Sequence, residues 1–168
     1  GTSMSNLGLE QALDSLDIPF VRSAVGDRYV MRELLKRGWR LGGESSGHII
    51  CLDKTTTGDG IVSALQALSA ISSSQSSLAE LISKLNKYPQ SMINVRIADS
   101  ADIASSDTIQ KAVADVESKL GSKGRVLLRL SGTEPVVRVM VEGEDATEVL
   151  KLAEELAEVV EKEVGAVA

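Results

Sequence analysis

Residues 129–138 read RLSGTEPVVR: an arginine at each end of a small, hydroxyl-rich bend. Arginine presents a planar fork of donors that can give two hydrogen bonds to one phosphate. Gly132 lets the backbone come close to a ligand. Ser131 and Thr133 add hydroxyls, and successive backbone N–H groups in such a bend can form an anion nest. The chemistry on offer is capture of a phosphate. The same letters also fit a plain hairpin loop with two surface arginines, and Glu134 opposes an anion unless its carboxylate points outward. Strand parity supplies a first test. In RVLLRL, Val126, Leu128 and Leu130 share one face, so Arg129 faces away from them. In VVRVMVE, Val137, Val139 and Val141 share a face, so Arg138 faces away as well. Both arginines are therefore expected on the non-core side of one hairpin.

A second stretch, GGESSGHI at 42–49, combines three glycines with a carboxylate, hydroxyls and an imidazole. Glu44 can accept hydrogen bonds from two neighbouring sugar hydroxyls, and Ser46 can donate or accept one. A carboxylate and a hydroxyl on a preformed loop suit an uncharged polyol; a polar hairpin loop is the plainer alternative. His48, the one histidine of the chain, can act as acid or base near neutrality, or be a structural residue at a strand start. Arg28 is a further candidate for an anion, beside Asp27, which reads as a helix cap. Asp59 fits the first turn of a helix, where the macrodipole favours a negative charge. The carboxylates of DIASSD, at 102–107, lack the spacing of an octahedral metal loop, so no metal site is expected in this chain.

The totals limit the partners. The 168 residues suffice for one medium domain or two small ones, and 43% hydrophobic with 25% charged residues is ordinary globular composition. Aromatics are only 2%, so cores must be aliphatic. A net charge of −6 argues against a nucleic-acid partner, which needs clustered Lys and Arg, without forbidding a small anion in a local positive pocket. The single cysteine, Cys51, cannot form an internal disulfide; it lies in an apolar run and reads as packing. No apolar run approaches the ~20 residues of a membrane span, and the N-terminus lacks the regions of a signal peptide. A cytoplasmic chain without membrane contact is expected.

Periodicity outlines the elements that must position these residues. A helix is expected after a Ser5 cap, with Leu9, Leu13 and Leu16 on one face and Pro19 as its stop. FVRSAV reads as a strand and GDRYVMRELLKRG as a helix ending at Gly38. WRLGGE and HIICLD read as extended runs around the glycine-serine bend. TTTGDGIVSALQALSAI reads as a helix with a threonine cap and a stripe of Ile61, Leu65, Leu68 and Ile71. SSSQSS, at 72–77, reads as a break, followed by a short helix, LAELISKLNKY. A domain boundary is placed near 86–91, giving 1–88 and 89–168. The second part reads strand, helix, strand, strand, helix, which one antiparallel sheet with helices on one face would bury. At roughly 80 residues each, the parts can just build separate cores.

With these stretches in view, the chain resembles the α-D-phosphohexomutase family. A sugar-recognition loop of the form GE-x-SGH is matched by Gly43, Glu44, Ser46, Gly47 and His48. A phosphate loop of the form R-x-SGTEP is matched by Arg129, Ser131, Gly132, Thr133, Glu134 and Pro135. DKTTTGDGI, VRVMVEGED, MSNLGLE and VGDRYV agree as well, in order, and the first two resemble the glucosamine branch. The resemblance runs from Met4 to about Val160. It implies α/β plus α+β architecture: a mixed α/β third domain and a TBP-like fourth domain. It also implies that the catalytic serine and the Mg²⁺-binding aspartates lie in two earlier domains outside this sequence. The piece alone is then expected to be inactive. Its implied partners are a phosphosugar and the missing N-terminal domains of the same polypeptide, with a homodimer left open. Glucose or mannose phosphates as substrate, or a non-catalytic phosphosugar-binding module, are the alternatives.

Overall fold

Asn6, rather than Ser5, opens the first helix: its side chain accepts the Gly8 N–H at 3.0 Å. The computed structural model describes residues 1–97, 103–132 and 134–164. Helix α1 (Leu7–Asp14) ends well before Pro19, and the chain turns through a left-handed Asp17. Leu16, expected on its buried face, is 67% exposed. FVRSAV does not become a strand. It makes a single parallel bridge, Thr2 to Ser23, because its backbone pairs only with residues 1–3. The hydrophobic run is there, but no neighbouring strand extends the ladder.

Helix α2 (Asp27–Arg37) follows the expected signals. Asp27 stands in its first turn, Lys36 and Arg37 in its last, and Gly38 closes it at φ 67° with its N–H on Leu34 and Leu35 carbonyls. Its buried Val30 and Leu34 pack on strand β1 (Leu41–Gly43), which pairs antiparallel with β2 (Ile49–Cys51). Gly42 is needed there: a Cβ would stand 2.6 Å from Val30 Cγ1. Val30, Leu34 and Ile50 form a small core with Met31, Trp39 and Leu52. Cys51, expected in packing, is half-buried on β2.

Helix α3 (Gly60–Ser74) is capped by Asp59, not by a threonine; the Asp59 carboxylate accepts the Ile61 and Val62 N–H groups at 2.8 and 2.9 Å. It runs into the serine tract expected to be a break. Serines are tolerated in a helix when their hydroxyls bond back, as Ser74 does to the Ile71 carbonyl. The stop comes at Gln75, in left-handed conformation. The expected core stripe is not buried: Ile61, Leu65 and Leu68 are 76, 55 and 61% exposed. Two three-residue strands offer α3 too little sheet to cover. Helix α4 (Leu78–Ser83) is shorter than expected and opens with a capping box between Ser77 and Glu80.

The chain divides into two compact units, Gly1–Lys87 and Tyr88–Ala168. The second carries strand β3 (Gln90–Arg96), helix α5 (Asp107–Leu120), a 3₁₀ turn (Gly121–Lys123), strands β4 (Gly124–Leu130) and β5 (Val136–Gly143), and helix α6 (Ala146–Val164). The sheet is antiparallel in the order β3-β5-β4. Helices α5 and α6 bury their stripes on one face: Ile109, Val116, Leu120, Val149, Leu152, Leu156 and Val160 meet Val95, Val137, Val139 and Val141. This is the strand-helix-strand-strand-helix order expected. No helix among the described residues is long and apolar enough to cross a membrane.

Candidate functional site

The β4–β5 register sets Arg129 directly opposite Arg138. Directly paired residues of an antiparallel ladder point to the same side. That side is the one away from Val137, Val139 and Val141, all fully buried under the helices. Two guanidinium groups therefore stand together at the loop end of one sheet face. The Nε atoms of both are buried and lack a hydrogen-bond partner among the described residues. Burial, and then the Arg138 charge, hold the Arg129 pKa below its ordinary value. Like charges directly across a ladder destabilise it. A buried donor left unpaired costs about 1–3 kcal/mol. Such an arrangement is explained most simply by an anion that completes it.

Glu134 does not fill the bend. It is 62% exposed, and its carboxylate reaches Arg138 Nη2 at 3.9 Å, an ion-pair distance too long for a hydrogen bond. The Ser131 N–H donates to the Val136 carbonyl at 2.9 Å, and the Val136 N–H to the Glu134 carbonyl at 2.8 Å. Ser131 therefore has no backbone donor left for an anion nest, and the expected run of N–H groups can begin only after it. A Cβ on Gly132 would meet nothing within 4 Å, so the space above the bend is open. Thr133 lies outside the described residues.

Asn94 was not among the sequence candidates. It pairs with Arg138 from the β3 side, so Asn94, Arg138 and Arg129 form one row across all three strands. The alternation of QSMINVR hints at its face. The sequence does not say which strand lies next to β5, and that neighbour decides what Asn94 stands beside.

The second candidate loop joins β1 and β2. The Glu44 N–H donates to the His48 carbonyl at 2.9 Å and the Gly47 N–H to the Glu44 carbonyl at 3.1 Å. Gly47, at φ 98°, adopts a conformation that suits glycine. Glu44 is half-buried, whereas Ser46 and His48 are exposed. All three belong to one tight hairpin. The His48 ring lies against Gly58, where a Cβ would stand 2.9 Å from Cδ2. Arg28 does not join this loop through any hydrogen bond or ion pair among the described residues. Its Nη2 donates to Tyr29 Oη at 2.7 Å and its guanidinium stacks 4.6 Å from the Tyr29 ring centre. Asp27, read as a cap, is instead the first residue of α2: Gly26 holds the N-cap position without a side-chain cap, and the Asp27 carboxylate accepts the N–H of its neighbour Arg28. Among the described residues no three His, Cys, Asp or Glu side chains gather as metal ligands. The described residues offer no set that fits Mg²⁺; Asp102 of DIASSD lies outside them.

Comparison with known proteins finds relatives for both parts of the chain. The family model described as phosphoglucomutase/phosphomannomutase, alpha/beta/alpha domain III, matches residues 1–88, and that of the C-terminal domain matches residues 92–159. The phosphoglucosamine mutase of Aeromonas hydrophila is 56% identical over 161 residues, covering 96% of this chain and 36% of its own length. Two crystal structures of Aspergillus fumigatus N-acetylphosphoglucosamine mutase share the fold. One, in complex with glucose 1,6-bisphosphate, has a TM-score of 0.82 at 20% identity over 98% of this chain and 38% of that one. The other, in complex with GlcNAc-6P and magnesium, has a TM-score of 0.75 at 18% identity over 97% of this chain and 38% of that one. The chain thus spans little more than a third of the proteins it matches. Two consecutive domain matches over nearly its whole length place it in the phosphoglucomutase/phosphomannomutase family, of which it represents domains III and IV.

Proposed function

We propose that this chain supplies the sugar and phosphate recognition of a phosphoglucosamine mutase, which interconverts glucosamine 6-phosphate and glucosamine 1-phosphate for amino-sugar nucleotide and cell-wall precursor synthesis in the cytoplasm. The observation that carries the reading is the facing Arg129–Arg138 pair, with both Nε donors buried and unmet.

Phosphoryl transfer needs positioning and charge neutralisation more than covalent help from the protein. Arg129 and Arg138, with Ser131, Gly132 and Thr133, hold the phosphate that is not reacting. Glu44 and Ser46 read ring hydroxyls common to both orientations of the sugar, so that either phosphate can be presented for transfer. His48 and Arg28 assist near the ring or phosphate. The phosphorylated serine and Mg²⁺, which neutralises charge on the transferring group, belong to preceding domains of the intact enzyme.

Calorimetric titration of the 168-residue chain tests this reading. Glucosamine 6-phosphate should bind, and glucosamine should bind much more weakly. Affinity should rise as pH passes about 6, where a phosphate monoester loses its second proton. The chain should show no mutase turnover by itself. Equal affinity for the two sugars would remove the phosphate role of the loop, and turnover above a mock preparation would contradict the placement of the nucleophile elsewhere.

A further inference from the structure

The row of polar side chains on the open sheet face does not stop at the β4–β5 hairpin. Strand β3 alternates cleanly: Val95 is buried and Ile93 packs on the core, while Met92, Asn94 and Arg96 are exposed. Asn94 pairs with Arg138, so Asn94 and Arg96 share the face of the two loop arginines. Arg96 pairs with Val136, the first residue of β5. It is therefore a diagonal neighbour of Arg138, at roughly 7–8 Å between backbones. The next residue, Ile97, donates its N–H to the Pro135 carbonyl at 3.0 Å, which ties the end of β3 to the phosphate bend itself.

We propose that Arg96 is a third phosphate-contacting guanidinium, extending the anion site from the hairpin onto β3. The proposal rests on the phosphate reading of Arg129 and Arg138. Three features favour it. Arg96 stands on the right face and at the right end of the sheet. It has no hydrogen bond or ion pair from its side chain among the described residues. It also borders an open groove with Glu154, Glu158 and Glu161 of α6, yet pairs with none of them, although such a pair would satisfy it at the surface. The Nε atoms of Arg129 and Arg138 are buried, whereas Arg96 is exposed. An exposed third arginine can adjust to the phosphate as the sugar reverses between its two orientations.

A competing explanation is that Arg96 only guards an edge strand with a charge. Variants of the full chain separate the two. Arg96→Ala should weaken binding of glucosamine 6-phosphate and of inorganic phosphate by roughly tenfold, the low end for a charge-assisted hydrogen bond, with the thermal midpoint unchanged. Arg96→Lys should recover part of the affinity, as a point charge without the fork. Arg96→Glu keeps a charge on the edge and should weaken phosphate binding further than alanine does. Loss of affinity in Arg129→Ala with none in Arg96→Ala or Arg96→Glu would overturn this inference and leave the hairpin site standing. Unchanged affinity in all of them would overturn both. A lowered midpoint with unchanged affinity would assign Arg96 to the fold and equally overturn the proposal.

Discussion

Replacing Glu142 with alanine is expected to lower the stability of the second unit by about 3–5 kcal/mol, the cost of breaking a buried ion pair from one side. Glu142 is completely buried on β5, and Arg125, opposite it on β4, is only 17% exposed at its side chain. Arg125 Nε meets Glu142 Oε2 at 2.6 Å. Alanine removes the carboxylate and leaves a guanidinium in a place with little water. The pair itself need not be worth that much. Desolvation of two charges offsets most of their attraction, so replacing both with leucine should cost far less than Glu142→Ala alone. A double-mutant cycle by urea unfolding, followed by circular dichroism, reads the difference. The nearby Lys123–Glu144 pair is the control. Its distance is similar, 2.9 Å, but both partners are about half exposed or more, at 70 and 47%. Glu144→Ala should therefore change stability by at most about 1 kcal/mol.

Arg129→Leu should separate binding from stability. Affinity for glucosamine 6-phosphate should fall by about 1.5–3 kcal/mol, the range of hydrogen bonds to charged groups, which is roughly 10- to 150-fold. Stability without ligand should stay level or rise by up to about 1 kcal/mol. The substitution removes a like-charge contact with Arg138 and a buried donor without a partner among the described residues, and it places an apolar side chain on the strand face that also carries Leu127. An arginine remains charged across the working pH range even when burial and a neighbouring cation oppose it, so titration cannot relieve the strain. A binding site that holds two cations together in the absence of ligand is expected to trade stability in this way. Equilibrium unfolding and calorimetry on the same preparation decide it; a stability loss above about 1 kcal/mol would mean that Arg129 supports the fold.

How much of this was legible depended on where the information resides. The stripes of α5 and α6 were readable because a long amphipathic helix repeats its signal many times. Gly38 was readable because it ends a helix by a local mechanism, and Asp27 because a negative charge suits a helix's first turn, although it does not cap it. The parity that put Arg129 and Arg138 on one face was also local, and it held. FVRSAV failed because a strand needs a partner, and its backbone meets only residues 1–3. The Ile61–Leu65–Leu68 stripe was read as core, since periodicity records amphipathicity and not what lies opposite. Asp59 outcompeted the threonines as a cap by accepting two N–H groups at once. The burial of Met140 and Glu142 on the supposed outer face escaped notice for another reason. β5 turned out to be the central strand, flanked at Met140 by Met92 and Leu127 and at Glu142 by Gln90 and Arg125. Strand order also hid Asn94 and Arg96, whose importance comes from standing next to β5. In the β1–β2 loop the chemical types of Glu44, Ser46 and His48 were visible at once. The support for His48 was not, because Gly58 lies outside the loop motif and meets the ring only after the chain turns back beyond β2.

The most direct test observes the two unmet donors themselves. Arginine side-chain Nε–Hε signals of the 168-residue chain can be followed by ¹H–¹⁵N NMR during titration with glucosamine 6-phosphate, with glucosamine as the control. The signals of Arg129 and Arg138 should move together and saturably with the phosphorylated sugar, slow their exchange with water, and stay in place with the unphosphorylated one. If the phosphosugar binds while both signals remain where they were, the facing arginines do not hold the phosphate.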